Sequence, residues 1–169
     1  KSIGFYEIAK IKFDSDIKDA HRNILKALEL KKNFAPYIKL HLEITVNLKD
    51  KKNLKKLIKK YWSLNPSSLL RSIITKILND NDLTDIKLIN EIIKNNASEE
   101  ESKKLLIYFA IKNLKWDIAR ENIIGMIGSN PSKDICYFMS DIEFGENNDK
   151  QKSDAWIMRA ENAKLENSW

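Results

Sequence analysis

Two histidines, one cysteine and a few paired acids are the residues of this chain best suited to chemistry, and their spacing offers little. His21 and His41 stand well apart in the sequence. Neither belongs to an HExxH helix, in which two imidazoles one turn apart hold zinc and the glutamate between them acts as base. No GxSxG elbow, CxxC pair or glycine-rich phosphate loop is present. Cys136 has no second cysteine to bridge to, which leaves the redox compartment open and fits a small buried hydrophobe. The acid pairs Glu99–Glu100 and Asp80–Asp82 read as helix-start residues, where carboxylates meet unpaired N–H groups and the positive end of the helix dipole. The expectation is no catalytic residue, no metal site and no cofactor. A haem or porphyrin carrier is the alternative, and it would need His21, His41 or Met139 as an axial ligand.

Charge supplies a second signal. The chain carries a net +6, and it is lopsided: residues 1–66 hold 16 Lys and Arg against 7 Asp and Glu, whereas residues 67–169 hold 14 against 17. Lys49, Lys51, Lys52, Lys55, Lys56, Lys59 and Lys60 crowd one segment. A solvated helix face is the plainest explanation. Proximity of the Lys49–Lys60 region to an anionic membrane comes next, and a basic nucleic-acid-binding adaptor follows, because arginine, whose fork suits phosphates and bases, is scarce here.

What would position these residues is helical. Apolar residues recur at three and four rather than alternating, and 4 Gly and 3 Pro leave little material for tight strand turns. No run approaches the roughly 20 apolar residues that cross a bilayer, and no signal peptide is evident. Because the chain opens on Lys1, it reads as an excerpt whose upstream part has been removed.

One spacing recurs. Ala119, Met126 and Pro131 are 7 and then 5 residues apart, Leu54, Tyr61 and Pro66 repeat this, and Ala20 and Ala27 repeat the 7-residue step. Seven residues is close to two helical turns, so each pair shares a face and can seat against a neighbouring helix. Proline then opens the next helix, where its missing N–H costs nothing. Ala20 to Leu54 and Ala27 to Tyr61 are equal intervals, and each matches the period of a tetratricopeptide helix-turn-helix. The expected fold is all-α: one domain over 1–169, a right-handed alpha-alpha superhelix of about five hairpins.

Helices are expected over 1–12, 15–31, 34–48, 51–64, 67–79, 83–96, 99–113, 116–128, 132–145 and 149–165. Ser98 with Glu101 reads as a capping box, and Asp14 or Ser15, Asp50 and Asp82 as N-caps. Asn130-Pro131-Ser132 ends one helix and opens another, and Gly145-Glu146-Asn147-Asn148 reads as the clearest loop.

Trp62, Trp116 and Trp156 sit at helical positions suited to core packing. Their setting carries a resemblance. Trp116-Asp-Ile-Ala119-Arg120, then Pro131, Tyr137, Met139 and Glu143, then Ala155-Trp156-Ile-Met-Arg159-Ala160 and Trp169, resemble the carboxy-terminal half of the HemY-type tetratricopeptide proteins of proteobacteria. Trp62-Ser-Leu-Asn65-Pro66-Ser-Ser-Leu69 is similar to that family's junction between middle repeats. It departs from the pattern at Ser67, where a histidine is often expected, and at Leu54 and Tyr61, where small residues are expected. The resemblance implies a solenoid facing the periplasm behind an inner-membrane anchor, associated with late haem or porphyrin metabolism.

Together these readings give a non-enzymatic protein-protein interaction scaffold. The tetratricopeptide register places Lys39, Glu43 and Asn47, and again Lys104, Tyr108 and Lys112, on a groove that takes a protein or peptide partner.

Overall fold

The computed structural model describes residues 1–163, and they are all-helical. Trp169 and the end of the helix expected over 149–165 lie outside the described residues. The described helices are α1 (Ser2–Lys12), α2 (Ile17–Leu30), α3 (Ala35–Asn47), α4 (Lys51–Leu64), α5 (Ser68–Asp80), α6 (Ile86–Ile93), α7 (Glu100–Lys112), α8 (Trp116–Ile123), α9 (Lys133–Asn147) and α10 (Lys150–Asn162). A single 3₁₀ turn, Ile124–Met126, follows α8. None of these helices is long and apolar enough to cross a membrane.

The described residues pack as two compact units. One contains Lys1–Leu83 with Glu91–Asn96, the other Thr84–Asn90 with the chain from Ala97 onward, so α6 supplies residues to both. In the first unit α1 packs on α2, α2 on α3, and α3 on both α4 and α5. In the second, α7 packs on α8 and α9, and α9 on α8 and α10.

The repeat spacing is a burial pattern. Ala20, Ile24, Ala27 and Leu28 are the buried apolar residues of α2, and the same positions one repeat later, Leu54, Ile58, Tyr61 and Trp62, are those of α4. Ala119 and Ile123 repeat the step in α8, with Met126 and Ile127 half-buried beyond it. In the second unit Ala119 meets Ile107, Ala110, Ile123, Ile135, Phe138, Met139 and Ile142 in one cluster.

The helix ends show a second period that residue types conceal. Lys49, Asp82, Leu114 and Asn148 all have positive φ, between 52° and 56°, and each follows the end of α3, α5, α7 or α9. After α5 and α7 the next N–H folds back, from Leu83 to the Leu78 carbonyl at 2.9 Å and from Lys115 to the Ala110 carbonyl at 2.8 Å. This is the left-handed cap usually given to glycine. At Lys49 and Leu114 a Cβ stands in that conformation at a cost of roughly 1–2 kcal/mol. These like turns recur at nearly equal intervals, each close to one tetratricopeptide period, and make the helix pairs a backbone repeat.

Several boundaries differ from expectation. The cap of α2 is Asp16, whose Oδ1 accepts from the Asp19 N–H at 3.0 Å, rather than Asp14 or Ser15. Asp50 caps α4 as expected, accepting from the Asn53 N–H at 2.9 Å. Ser98 and Glu101 form no capping box, because α7 has Glu99 at its N-cap and no side-chain cap bond. Asp82 is taken up by the left-handed turn, so α6 begins later, with Asp85 Oδ1 accepting from the Lys87 N–H at 2.9 Å. Asp80 ends α5 rather than starting a helix. Gly145 to Asn147 continue α9 instead of forming a loop. A Cβ on Gly145 would overlap the Trp116 ring, so this glycine serves a close contact rather than a turn.

Candidate functional site

In the first unit a groove of about 920 Å³ runs along α1, α3 and α5. Tyr6 of α1 and Phe13 just past its end line one side, Ala35, Pro36, Lys39, Glu43, Val46 and Asn47 come from α3, and Leu69, Ile73, Lys76, Ile77 and Asp80 from α5. Pro36 stands in the first turn of α3, where no helical partner is needed for an N–H. Tyr37 ties α1 to α3: its ring lies 4.9 Å from that of Tyr6, and its hydroxyl donates to Ser2 Oγ at 3.3 Å.

The chemistry of the groove is an apolar floor beneath a ladder of charges. Val46 and Ile73 are half-buried and Leu69 is exposed. Lys39 Nζ lies 3.8 Å from Glu43 Oε1 on α3, and Lys76 Nζ lies 2.8 Å from Asp80 Oδ2 on α5. The hydrogen bond and charge of Asp80 raise the Lys76 pKa above the usual lysine value, partly offset by desolvation, and Glu43 adds to the rise from across the groove. All four side chains are solvent-accessible, so their pairs are easily exchanged for a ligand's charges.

Lys39, Glu43 and Asn47, expected on a groove, are among the residues lining this one. The α5 wall was not expected, although Lys76 and Asp80 repeat the Lys-to-acid step of one helical turn that Lys39 and Glu43 make. The other three residues lie in the second unit and are differently placed. Lys104 is buried, its side chain 3% exposed, with Nζ 3.1 Å from Glu100 Oε1, 3.5 Å from Asp134 Oδ2 and 3.9 Å from Glu101 Oε1. It thus lies inside an ion cluster between α7 and α9 rather than on an open wall. Burial pulls its pKa down, but the Glu100 hydrogen bond and the three carboxylate charges outweigh this and raise it. Tyr108 is half-buried against the core of the second unit, and Lys112 is exposed at the end of α7.

The two histidines stack on one another. His21 of α2 stacks on His41 of α3 with ring centroids 5.4 Å apart, and His41 Nδ1 is 2.6 Å from the Tyr61 hydroxyl of α4. Desolvation, aided by the nearby charges of His21 and Lys60, lowers the His41 pKa to about 4. Desolvation also raises Tyr61 to about 12. This ring nitrogen is therefore engaged, and the groove's lining includes neither histidine. Met139 is buried in the core of the second unit. Among the described residues no three His, Cys, Asp or Glu gather as a metal site. Cys136 is fully buried, and desolvation raises its thiol pKa.

No protein-family model and no curated protein matches the chain. Among solved structures, one described as "MamA RS-1 ArsTM double mutant" is similar with a TM-score of 0.49 at 10% identity, covering 95% of this chain and 92% of that one.

Proposed function

We propose that this chain is a non-enzymatic, tetratricopeptide-like scaffold whose first unit holds an extended peptide segment of a protein partner in the α1–α3–α5 groove. The observation that carries the reading is the groove itself: an apolar floor under two exchangeable Lys-to-acid pairs. Apolar side chains of an extended segment gain by leaving water there, while its charges replace Glu43 at Lys39 or Asp80 at Lys76. The left-handed turns after α3, α5, α7 and α9 support a helix-pair repeat close to the tetratricopeptide period. The Trp116 to Arg159 motif series, in its resemblance to HemY-type proteins, supports a finer reading: a partner in late haem or porphyrin metabolism, with the domain on the periplasmic side of a bacterial inner membrane.

A displayed peptide library selected on the intact chain tests the groove. Peptides enriched on the native protein are expected to fall away on a Lys39→Glu/Lys76→Glu variant of unchanged melting temperature. Recovery of the same peptides with the same strength by both proteins would show that the groove is not the binding site.

A further inference from the structure

We propose that the lysine face of α4, together with the matching cationic face of α2, is a docking surface for an anionic lipid bilayer. This inference is independent of the groove.

Six lysines and no acid lie in Lys51–Leu64. Lys52, Lys56 and Lys60 follow one another at steps of about one helical turn and are exposed. The opposite side of the helix buries Leu54, Ile58, Tyr61 and Trp62, so the row is held outward by the core rather than free to roll inward. Among the described residues only Lys59 of the six is ion-paired, to Glu91 at 2.6 Å. Unpaired ammonium groups aligned on a fixed helix repel one another, and an anionic surface relieves that repulsion.

The arrangement is duplicated. At the positions one repeat earlier, α2 carries Lys18, Arg22 and Lys26, each exposed. Each row then ends on an exposed leucine one turn further on, Leu30 at 54% and Leu64 at 56%. Burial within the chain does not explain these leucines. A row of cations closed by a leucine matches a bilayer in depth, with lipid phosphates meeting the lysines and the acyl boundary receiving the leucine. A nucleic acid fits less well. Arg22, the one arginine of the two rows, already donates to Asp19 at 3.1 Å, and the aromatic rings of α4, Tyr61 and Trp62, are buried and cannot stack on a base.

Vesicle co-sedimentation of the intact chain tests this. Binding is expected to phosphatidylcholine vesicles carrying roughly 30% phosphatidylglycerol and not to pure phosphatidylcholine, and to weaken as salt rises from about 50 mM to about 500 mM. Lys52→Glu/Lys56→Glu/Lys60→Glu should weaken partitioning by more than about tenfold, and the uncharged Gln triple by a smaller factor. Leu30→Ser/Leu64→Ser should weaken vesicle binding several-fold with the salt dependence kept. Circular dichroism melting confirms that each variant is folded. Equal binding to neutral vesicles, or undiminished binding by both folded lysine triples, would overturn the proposal. So would tighter binding to a random-sequence RNA or DNA duplex than to the anionic vesicles, with the leucine variant unaffected in both.

Discussion

The two units differ in the ionisable side chains they bury. In the first, His41 and Tyr61 are interior and neutral, joined by a 2.6 Å hydrogen bond, while the lysines of α4 face outward. In the second, a lysine is interior and charged: Lys104 sits among Glu100, Glu101 and Asp134, and Arg120 Nη1 lies 3.3 Å from the buried Glu143. A neutral pair is costly to titrate because burial resists the new charge. A buried charge with several opposite partners is instead held in its charged form over a wide pH range. Similar helix pairs thus acquire different pH responses from what lies in their seams.

The largest expected effect tests whether the units fail separately. Ala119 is fully buried in the cluster of the second unit, where α8 approaches its neighbours closely. Ala119→Arg forces a long cation into that contact and should destabilise by more than about 2 kcal/mol. Hydrogen exchange would locate the loss in α7–α9, with α2–α4 still protected. An unchanged melting temperature would mean that the contact tolerates the side chain and the assigned register is wrong.

Acid should find the first unit. An unfolded histidine takes up its proton near 6.5, whereas His41 resists protonation down to about 4. Across that window the unfolded chain binds more protons. Stability is therefore fully present above 6.5 and declines as pH falls toward 4, by up to roughly 3 kcal/mol. His41→Gln, which removes the titration and retains an amide partner for Tyr61, should flatten that limb in urea titrations read by hydrogen exchange in α2–α4. Tyr61→Phe leaves Nδ1 buried without its partner and should cost about 1–2 kcal/mol at neutral pH. Acid limbs of equal steepness in native protein and His41→Gln would remove His41 as the source of the difference between units.

How much of this could be read beforehand depended on what each feature left in the residue types. The buried face of α2 and α4 was legible because Ala20, Ala27, Leu54 and Tyr61 keep the 7-residue step along with their burial. The turn period was not, since its left-handed positions hold Lys, Asp, Leu and Asn instead of the glycine that would announce them. Gly145 misled in the other direction, because its role is a contact with Trp116 in a different helix, which no local pattern records. On the groove, Lys39, Glu43 and Asn47 follow from helical register, whereas Lys104 on α7 shares that register and is buried. Register fixes a residue's face, but the packing of α9 through Asp134 decides whether that face is open.

Lys104 also gives the finest test of the comparison. Its carboxylate partners are not buried with it to the same degree: Glu100 is 61% exposed and Asp134 44%. Lys104→Met therefore removes a desolvated charge, fills the space of the lysine stem, and leaves acids that water can still solvate. The expected change in stability at neutral pH is within about 1 kcal/mol, since the lost attraction is offset by the lost desolvation penalty. The pH signature should change more than the stability. Because the folded pKa of Lys104 is raised above 10.5, its contribution is fully present below that value and is lost as pH climbs through the raised one. In Lys104→Met this alkaline loss should vanish from the second unit. The first unit should still weaken between pH 10 and about 12, where unfolded chains lose the Tyr61 proton before folded ones do. Hydrogen exchange at graded alkaline pH separates the two. A loss well above about 3 kcal/mol in Lys104→Met at neutral pH would instead make the buried charge indispensable to the second unit, and the contrast between a neutral seam and a tolerant charged one would fail.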